Sequence, residues 1–351
     1  MQDIDEDTPK TTISHLGKSF ETIHFSNITD EECTNIKNEF FTKPSLYEVR
    51  KDLYEINRGN TNTSKIHKYF FSDLMYDSKL YSSKWSINEF FECNDLIRFA
   101  YAKVKKFPNV FPTEVSDADN INTVLRLSPS GTAAKLSNYP IYSVHNILNM
   151  YNVNNNYYDY SCGWGVRLLG ALSRRINYFG TDPNCKLVNK LLELNTEYTK
   201  INKKNSTTDI RCLGSEIYIP EWENTIGVAF SSPPYYDLED YKYGEQSIKT
   251  NSSYAEWLSN YWTNTVRNIF RYLINDGFFL LNIKSFKGLD LLNDMKQITI
   301  NEGFIYSHSL DLQNQNRPSL KHNDKNNNEE ILVFTKMPNV KPKIVSLDYW
   351  E

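Results

Sequence analysis

No C-x-x-C pair occurs in this chain of 351 residues, whose five cysteines stand at positions 33, 93, 162, 185 and 212. That spacing provides neither half of a zinc site nor a thioredoxin-type redox motif. An odd count without such pairs points to free thiols in a reducing compartment rather than to disulfides. No run approaches the roughly 18 uncharged apolar residues of a membrane helix. The opening stretch, MQDIDEDTPKTTISHLGKSF, is acidic and polar and has no apolar core of a secretory signal. These absences give the expectation of a soluble, cytoplasmic protein with no metal centre and no membrane partner. A strong charge of one sign is missing as well. The net charge of −4 gives no global signal for nucleic acid and leaves room only for a local basic face. Internal repeats are absent, and the asparagine tracts NVNNN (152–156) and NDKNNN (323–328) read as loop composition.

What the chain does have is core material. With 40% hydrophobic and 14% aromatic residues, it can build a full-sized α/β domain and a smaller accessory region. Residues 1–112 show no strand–helix alternation. TDEECTNIKNEFF (29–41) opens with a Thr-x-x-Glu capping box, and SINEFFECNDLIRFAYAKVKKF (86–107) reads as one long helix ending in lysines that suit its C-terminal dipole. FPNVFP (107–112) then breaks the helix and marks a boundary. The expectation is a helix-rich accessory domain over 1–112, with a possible role in substrate recognition, and a second domain over 113–351.

The second domain alternates. YDY (158–160) ends a strand, VRLLGALSR (166–174) is a helix, and INYFGTDP (176–183) is a strand running to Asp182. TDIRCLGS (208–215) and TIGVAFS (225–231) are further strands. SYAEWLSNYWTNTVRNIFRYLI (253–274) is a long helix, GFFLLNIKS (277–285) a fifth strand and EEILVFTK (329–336) a last one. Such alternation argues for an α/β fold, a Rossmann-like parallel sheet with helices on both faces.

Two stretches carry chemistry. DYSCGWGVRLLGAL (159–172) lies between a strand and a helix, where Gly163 and Gly165 permit a tight turn and close backbone approach to a ligand. The dinucleotide fingerprint fails, since Leu168 fills its third glycine position, which counts against NAD or FAD. Asp182, at the end of the next strand, is placed to accept hydrogen bonds from both hydroxyls of a ribose. The other stretch, SSPPYYDLEDY (231–241), follows the fourth strand. Pro233 and Pro234 cannot continue a ladder, and they stiffen the backbone where α/β sheets bind ligands. Ser232 adds a small hydroxyl, and Tyr235 and Tyr236 add rings, so the segment suits something flat.

In this order, DYSCGWGVRLLGAL, YFGTDP and SSPPYYDLEDY resemble the class I S-adenosylmethionine-dependent amino-methyltransferases of DNA, especially phage-type enzymes that modify adenine or cytosine at the exocyclic amine. The resemblance covers roughly 125–336. It implies a Rossmann-like SAM methyltransferase sheet, S-adenosylmethionine as cofactor, and DNA as partner, single-stranded or with the base flipped out of a duplex. It further implies that Asp159, Cys162, Gly163 and Gly165 surround the methionine part of the cofactor and that Asp182 holds its ribose. Ser215 or Glu216 would lie near the adenine amine, and Asn138 in RLSPSGTAAKLSNYP (126–140) near the methionine end. Ser232, Pro233, Pro234 and Tyr235 would form the catalytic segment. Serine in place of the aspartate usual in adenine enzymes leans toward cytosine. A place in restriction–modification or in a phage is part of the same expectation.

No long insertion separates the glycine loop from Ser-Pro-Pro-Tyr, so recognition falls to residues 1–112 and to 237–257. Arg317, Lys321 and Lys325 either meet phosphates or form a solvated surface. Two alternatives stand beside this reading: an RNA base methyltransferase, and a non-catalytic SAM-binding accessory protein. His145 and His308 lack metal-spaced partners, Cys162 reads as packing, and Trp257 and Trp262 read as core.

Overall fold

A computed structural model describes residues 10–127, 132–134, 136, 139–151, 153–203, 206–236, 239–244, 246–283, 288–311 and 330–337. Asn138, Arg317, Lys321 and Lys325 lie outside the described residues. The chain divides into two compact units. One comprises Met1–Pro44, Ser72–Ser137 and Leu238–Lys242; the other comprises Ser45–Phe71, Asn138–Asp237 and Tyr243–Glu351. The division is therefore not a single cut near residue 112. Residues 45–71 count with the second unit and the helix Asp117–Leu127 with the first.

The first unit holds a hairpin, Thr11–His15 paired with Lys18–Thr22, that composition did not reveal. Leu16 and Gly17 make its two-residue turn at φ 50° and 70°, the left-handed pair a tight hairpin needs. The capping box predicted at Thr29 is present and starts the helix Asp30–Phe41. The long helix expected over 86–107 is two helices, Ile87–Phe91 and Asn94–Lys106. The break at Glu92–Cys93 lets Phe90 and Phe91 both turn inward, where Phe91 meets Phe40 at 4.3 Å between ring centroids.

The second unit is built on a seven-stranded sheet. Numbered in chain order within it, the strands are β1 (Asn156–Asp159), β2 (Asn177–Thr181), β3 (Thr208–Arg211), β4 (Ile226–Ser231), β5 (Leu273–Ile283), β6 (Ile305–Asp311) and β7 (Glu330–Thr335). Their order across the sheet is β6-β7-β5-β4-β1-β2-β3. The pairs β5-β4, β4-β1, β1-β2 and β2-β3 are parallel, while β7 runs antiparallel to both β5 and β6. This is the expected α/β fold, a Rossmann-like sheet. All six residues of β4 are buried, as a central strand flanked by parallel neighbours requires. β6 escaped the sequence reading because it is an edge strand, exposed along most of its length, and so carries no apolar run.

The long helix expected over 253–274 starts at Tyr254 and ends at Tyr272, but Trp257–Trp262 within it is a π-helical segment. The wider turn lets Trp257, Tyr261 and Trp262 all face the core, with both tryptophans at 0% exposure, as expected of core residues. Among the described residues no helix is long and apolar enough to cross a membrane, and no group of three or more His, Cys, Asp or Glu is placed to hold a metal ion.

One expectation is overturned. Cys185 and Cys212, 27 residues apart, form a disulfide with Cα atoms 5.1 Å apart. β2 and β3 are parallel neighbours with Thr181 opposite Arg211, so the segments leaving them lie side by side, a proximity that linear spacing does not encode. Closing a loop of this length should stabilise the fold by about 3.5 kcal/mol. Cys212→Ser should lower the unfolding free energy in urea by that amount relative to oxidised wild type, whereas reduced wild type should match the variant. Equal stability of all three would refute the bond.

Candidate active site

Parallel β1–β4 bring four segments to one edge of the sheet: Tyr160–Gly165 after β1, Asp182–Asn184 after β2, Cys212–Glu216 after β3 and Ser232–Tyr236 after β4. Chain order reverses direction between β1 and β4, which is where an open α/β sheet leaves a crevice for ligands. The sequence-predicted residues Gly163, Gly165, Asp182, Glu216, Ser232 and Tyr235 all lie on these segments.

Gly163 and Gly165 have φ of 55° and 77°, left-handed values that L side chains rarely adopt. Gly165 is doubly required: a Cβ there would stand 3.0 Å from Leu191, 3.1 Å from Leu194 and 3.2 Å from Phe71. The loop is thereby pressed onto the helix Cys185–Asn202 and leads directly into the helix Val166–Ser173.

Asp159, Cys162 and Ser215 take different places from those the resemblance implies. Asp159 is fully buried, and its Oδ2 accepts from Arg167 Nε at 2.9 Å and from the Tyr178 hydroxyl at 2.8 Å. Its Oδ1 receives the Ser161 N–H at 3.4 Å. It braces the loop from behind instead of facing a ligand, because an unpaired carboxylate at that depth would be too costly. Burial opposes the Arg167 charge, yet the Asp159 carboxylate prevails and holds the guanidinium above its ordinary value. Cys162 is buried behind the loop, its sulfur 2.6 Å from where a Cβ on Gly180 would sit, and burial pushes its thiol well up. It is packing, as the sequence suggested. Ser215 is also buried, its hydroxyl 2.8 Å from Thr265 Oγ1 and its carbonyl 3.0 Å from Asn268 Nδ2.

Asp182 and Glu216 stay on the crevice side, both half-buried. Asp182 accepts from Asn184 N–H at 3.0 Å and Gly163 N–H at 3.4 Å, so the carboxylate ties the glycine loop to the end of β2. Desolvation nevertheless raises its pKa to about 6, with the two backbone donors acting in the opposite sense. Glu216 folds its carboxylate over Gly214, where a Cβ would come within 2.3 Å of it. The Tyr261 phenol is raised by burial and then by the charge of Glu216. Sequence reasoning missed Tyr261 because its place depends on the π-helical turn. A half-buried carboxylate, a glycine-lined loop and a second acid on the adjoining segment are together suited to the ribose and base of a nucleoside cofactor.

Beside this crevice, the Ser-Pro-Pro-Tyr segment closes on itself. Ser232 Oγ donates to the Tyr235 hydroxyl at 3.2 Å and accepts from Asn282 Nδ2 at 3.3 Å, and the Tyr235 hydroxyl lies 3.5 Å from the Asn282 carbonyl. Asn282, on β5, is 1% exposed and went unnoticed in the sequence, where it sits inside an apolar strand. Pro233 is buried and Pro234 half-buried. Tyr236 is held at φ 49°, an unfavourable angle for a tyrosine, with its ring against Tyr254 at 5.2 Å and Trp257 at 5.6 Å. The Ser231 hydroxyl donates to the Ser161 carbonyl at 3.2 Å, and the Tyr160 hydroxyl is 3.0 Å from the Ser231 carbonyl; these bonds lock the two loops together.

No protein-family model matches this chain, and no curated protein matches it. Among solved structures, it is similar to a SAM-dependent O-methyltransferase of Thermotoga maritima, with 11% identity over 59% of this chain and 69% of the other and a TM-score of 0.39. It is similar to a methyltransferase of Pyrococcus furiosus, with 15% identity over 57% and 84% and a TM-score of 0.38. A geranyl diphosphate methyltransferase in complex with GPP and sinefungin matches at 10% identity over 56% and 76%, with a TM-score of 0.38. The fold assignment rests on the strand order and orientation described above.

Two outcomes follow from the buried charges. Arg167→Met would strand the Asp159 carboxylate and should destabilise the protein by about 3–5 kcal/mol in urea denaturation, with much of that regained in Asp159→Asn/Arg167→Met. A double variant no more stable than the single one would contradict the pairing. For Asp182 the folded state favours the protonated acid. Its stabilising contribution is full below pH 3.8 and lost as pH rises through about 6. Asp182→Asn should therefore flatten stability against pH across that window, and an unchanged profile would rule out the shift.

Proposed function

We propose that this protein transfers a methyl group from S-adenosylmethionine to the exocyclic amine of a DNA base, flipped out of a duplex or presented in a single strand. The observation that carries this reading is the closed Ser232–Tyr235–Asn282 arrangement at the end of β4, beside the glycine loop. The cofactor supplies a methyl group on a positively charged sulfur. Asp182 would hold its ribose, the backbone of Gly163 and Gly165 its methionine end, and Glu216 its adenine amine.

An exocyclic amine conjugated to a base is a poor nucleophile, since its lone pair is delocalised into the ring. Acceptors that bond its N–H groups favour the pyramidal geometry from which it attacks. A hydroxyl has one proton and two acceptor lone pairs. In Ser232 the proton is directed to Tyr235 and one lone pair to Asn282, which leaves the second lone pair for the amine. The Pro233 carbonyl is the other acceptor, made rigid by the two prolines. The nitrogen would gain the C–N bond as the methyl group's bond to sulfur breaks, the sulfur leaving as a neutral thioether, and the proton the nitrogen sheds would pass to solvent. Tyr235 offers a ring face to the base, and such a face also tolerates the nearby positive sulfur. A base within a duplex cannot reach this segment without leaving the stack.

Isotope-labelled S-adenosylmethionine, incubated in parallel with duplex DNA, single-stranded DNA and RNA, tests the reading when products are digested to nucleosides and identified by mass. Label on N4 of cytosine or N6 of adenine in DNA is the expected result; label confined to RNA, or none, overturns it. Ser232→Ala should slow transfer by roughly 10²-fold with cofactor affinity near wild type, because one acceptor is lost from the reacting geometry alone. Asp182→Ala should do the reverse, and a wild-type dissociation constant in that variant would remove the ribose assignment.

A further inference from the structure

The accessory unit carries a second feature that the proposed chemistry does not use. Its hairpin, Lys84 and the helix Asn94–Lys106 with its flanking residues together carry an alternating row of cations and rings, in which Phe99 is the buried member. Lys84 Nζ lies 5.9 Å from the centre of the Phe20 ring, Phe20 meets Phe99 edge-on at 5.0 Å, and Lys103 Nζ lies 4.8 Å from the Phe99 ring. The row continues through His24, whose ring is 6.2 Å from that of Phe107, and ends at Lys106 Nζ, 5.9 Å from the same ring. Residues 99, 103 and 106 share one helical face by their spacing, and Phe107 caps the helix after them. Lys18 extends the row at the other end: its ammonium donates to the Lys84 carbonyl, and the Lys84 ammonium donates to the Ser19 carbonyl.

Several observations set this row apart from an ordinary solvated face. The chain as a whole is acidic, yet among the described residues none of Lys18, Lys84 and Lys106 enters an ion pair. Burial holds the His24 imidazole below its usual value, and the charges of Lys106 and then Lys103 add to this, so the cations crowd one locality. Phe107 is 44% exposed at the end of the row, a large ring left in water beside an ammonium. Nearby basic residues that are neutralised lie off this row: Arg98 pairs with Asp30 and Asp95, and Lys105 with Asp117.

We infer that this row is a contact surface for the phosphodiester backbone of DNA, with the ammonium groups of Lys18, Lys84 and Lys106 meeting phosphates and the exposed Phe107 ring available to an unstacked base. The inference rests on the DNA reading above and supplies what that reading lacks, a surface outside the pocket. Ammonium groups seated over rings are positioned at low entropic cost, and base–aromatic stacking is tolerant of sequence. Contacts of this kind position a strand and do not read its bases.

The test is binding of fluorescent duplex and single-stranded oligodeoxynucleotides across a salt series, with S-adenosylmethionine affinity measured separately by calorimetry. Lys18→Gln/Lys84→Gln/Lys106→Gln should weaken DNA binding at least tenfold near 0.1 M salt and lower the slope of log K against log salt by roughly 3, one per lost phosphate contact. Cofactor affinity should not move. Because Lys18 and Lys84 also bond the backbone, Lys106→Glu serves as a milder variant with a smaller loss of the same kind, and the triple Lys→Arg variant should bind as wild type does. Lys37→Gln/Lys51→Gln/Lys68→Gln, outside the row, should leave affinity within about twofold. Wild-type affinity and slope in both the triple Gln variant and Lys106→Glu would overturn the surface while leaving a DNA-methylating wild type intact. A wild type that binds cofactor but neither form of DNA would overturn the surface and the DNA reading together.

Discussion

A buried ion pair organises the candidate site. Asp159 closes β1 with its carboxylate at 0% exposure, and Arg167, eight residues later on the following helix, supplies the countercharge that makes that burial tolerable. The pair spans the glycine loop, so the loop can take only conformations in which the helix Val166–Ser173 starts where Arg167 reaches back. Tyr178 adds a third partner from β2, coupling the loop to the neighbouring strand. Everything on the crevice side depends on this arrangement: Gly163 offers its N–H to Asp182 because the loop is held in the left-handed turn, and Ser161 takes a bond from Ser231 because its carbonyl is fixed.

That bond from Ser231 joins two functions. The glycine loop and the Ser-Pro-Pro-Tyr segment belong to strands that are neighbours in the sheet but 70 residues apart in the chain. In the proposed reaction, cofactor and acceptor meet at the distance of a single methyl transfer, where misplacement on the scale of 1 Å is costly. Here the loops are fixed by Tyr157, Tyr160 and Ser231, whose hydroxyls bond backbone carbonyls across the strands. Tyr157, Tyr158 and Tyr160 in this core are thus ties as well as packing, each with its hydroxyl hydrogen-bonded.

The strain at Tyr236 fits the same picture. A tyrosine at φ 49° persists only where its surroundings over-determine it, and the rings of Tyr254 and Trp257 do so. Trp257 begins the π-helical segment that also buries Tyr261, whose phenol feels the charge of Glu216. An irregular turn in one helix therefore bears on both the Glu216 segment and the Ser-Pro-Pro-Tyr segment.

The α/β class, the sheet's five parallel strands, β7, the glycine loop and Ser232–Tyr235 were legible in the sequence, because each depends on local pattern: an apolar run, a Gly at a turn, a Pro at a strand end. What remained hidden depends on neighbours in space. β6 is an exposed edge strand without an apolar signature, and Asn282 looks like an interruption in a strand until Ser232 is beside it. The Cys185–Cys212 bond arises only because β2 and β3 align. Asp159 reads as a ligand-facing acid until Arg167 and Tyr178 are seen to enclose it. Local sequence determined which elements form and where the chain turns, since those choices are made by near neighbours. Tertiary structure alone decided which polar groups face the crevice and which stand behind it, because burial and hydrogen-bond satisfaction are properties of the packed chain.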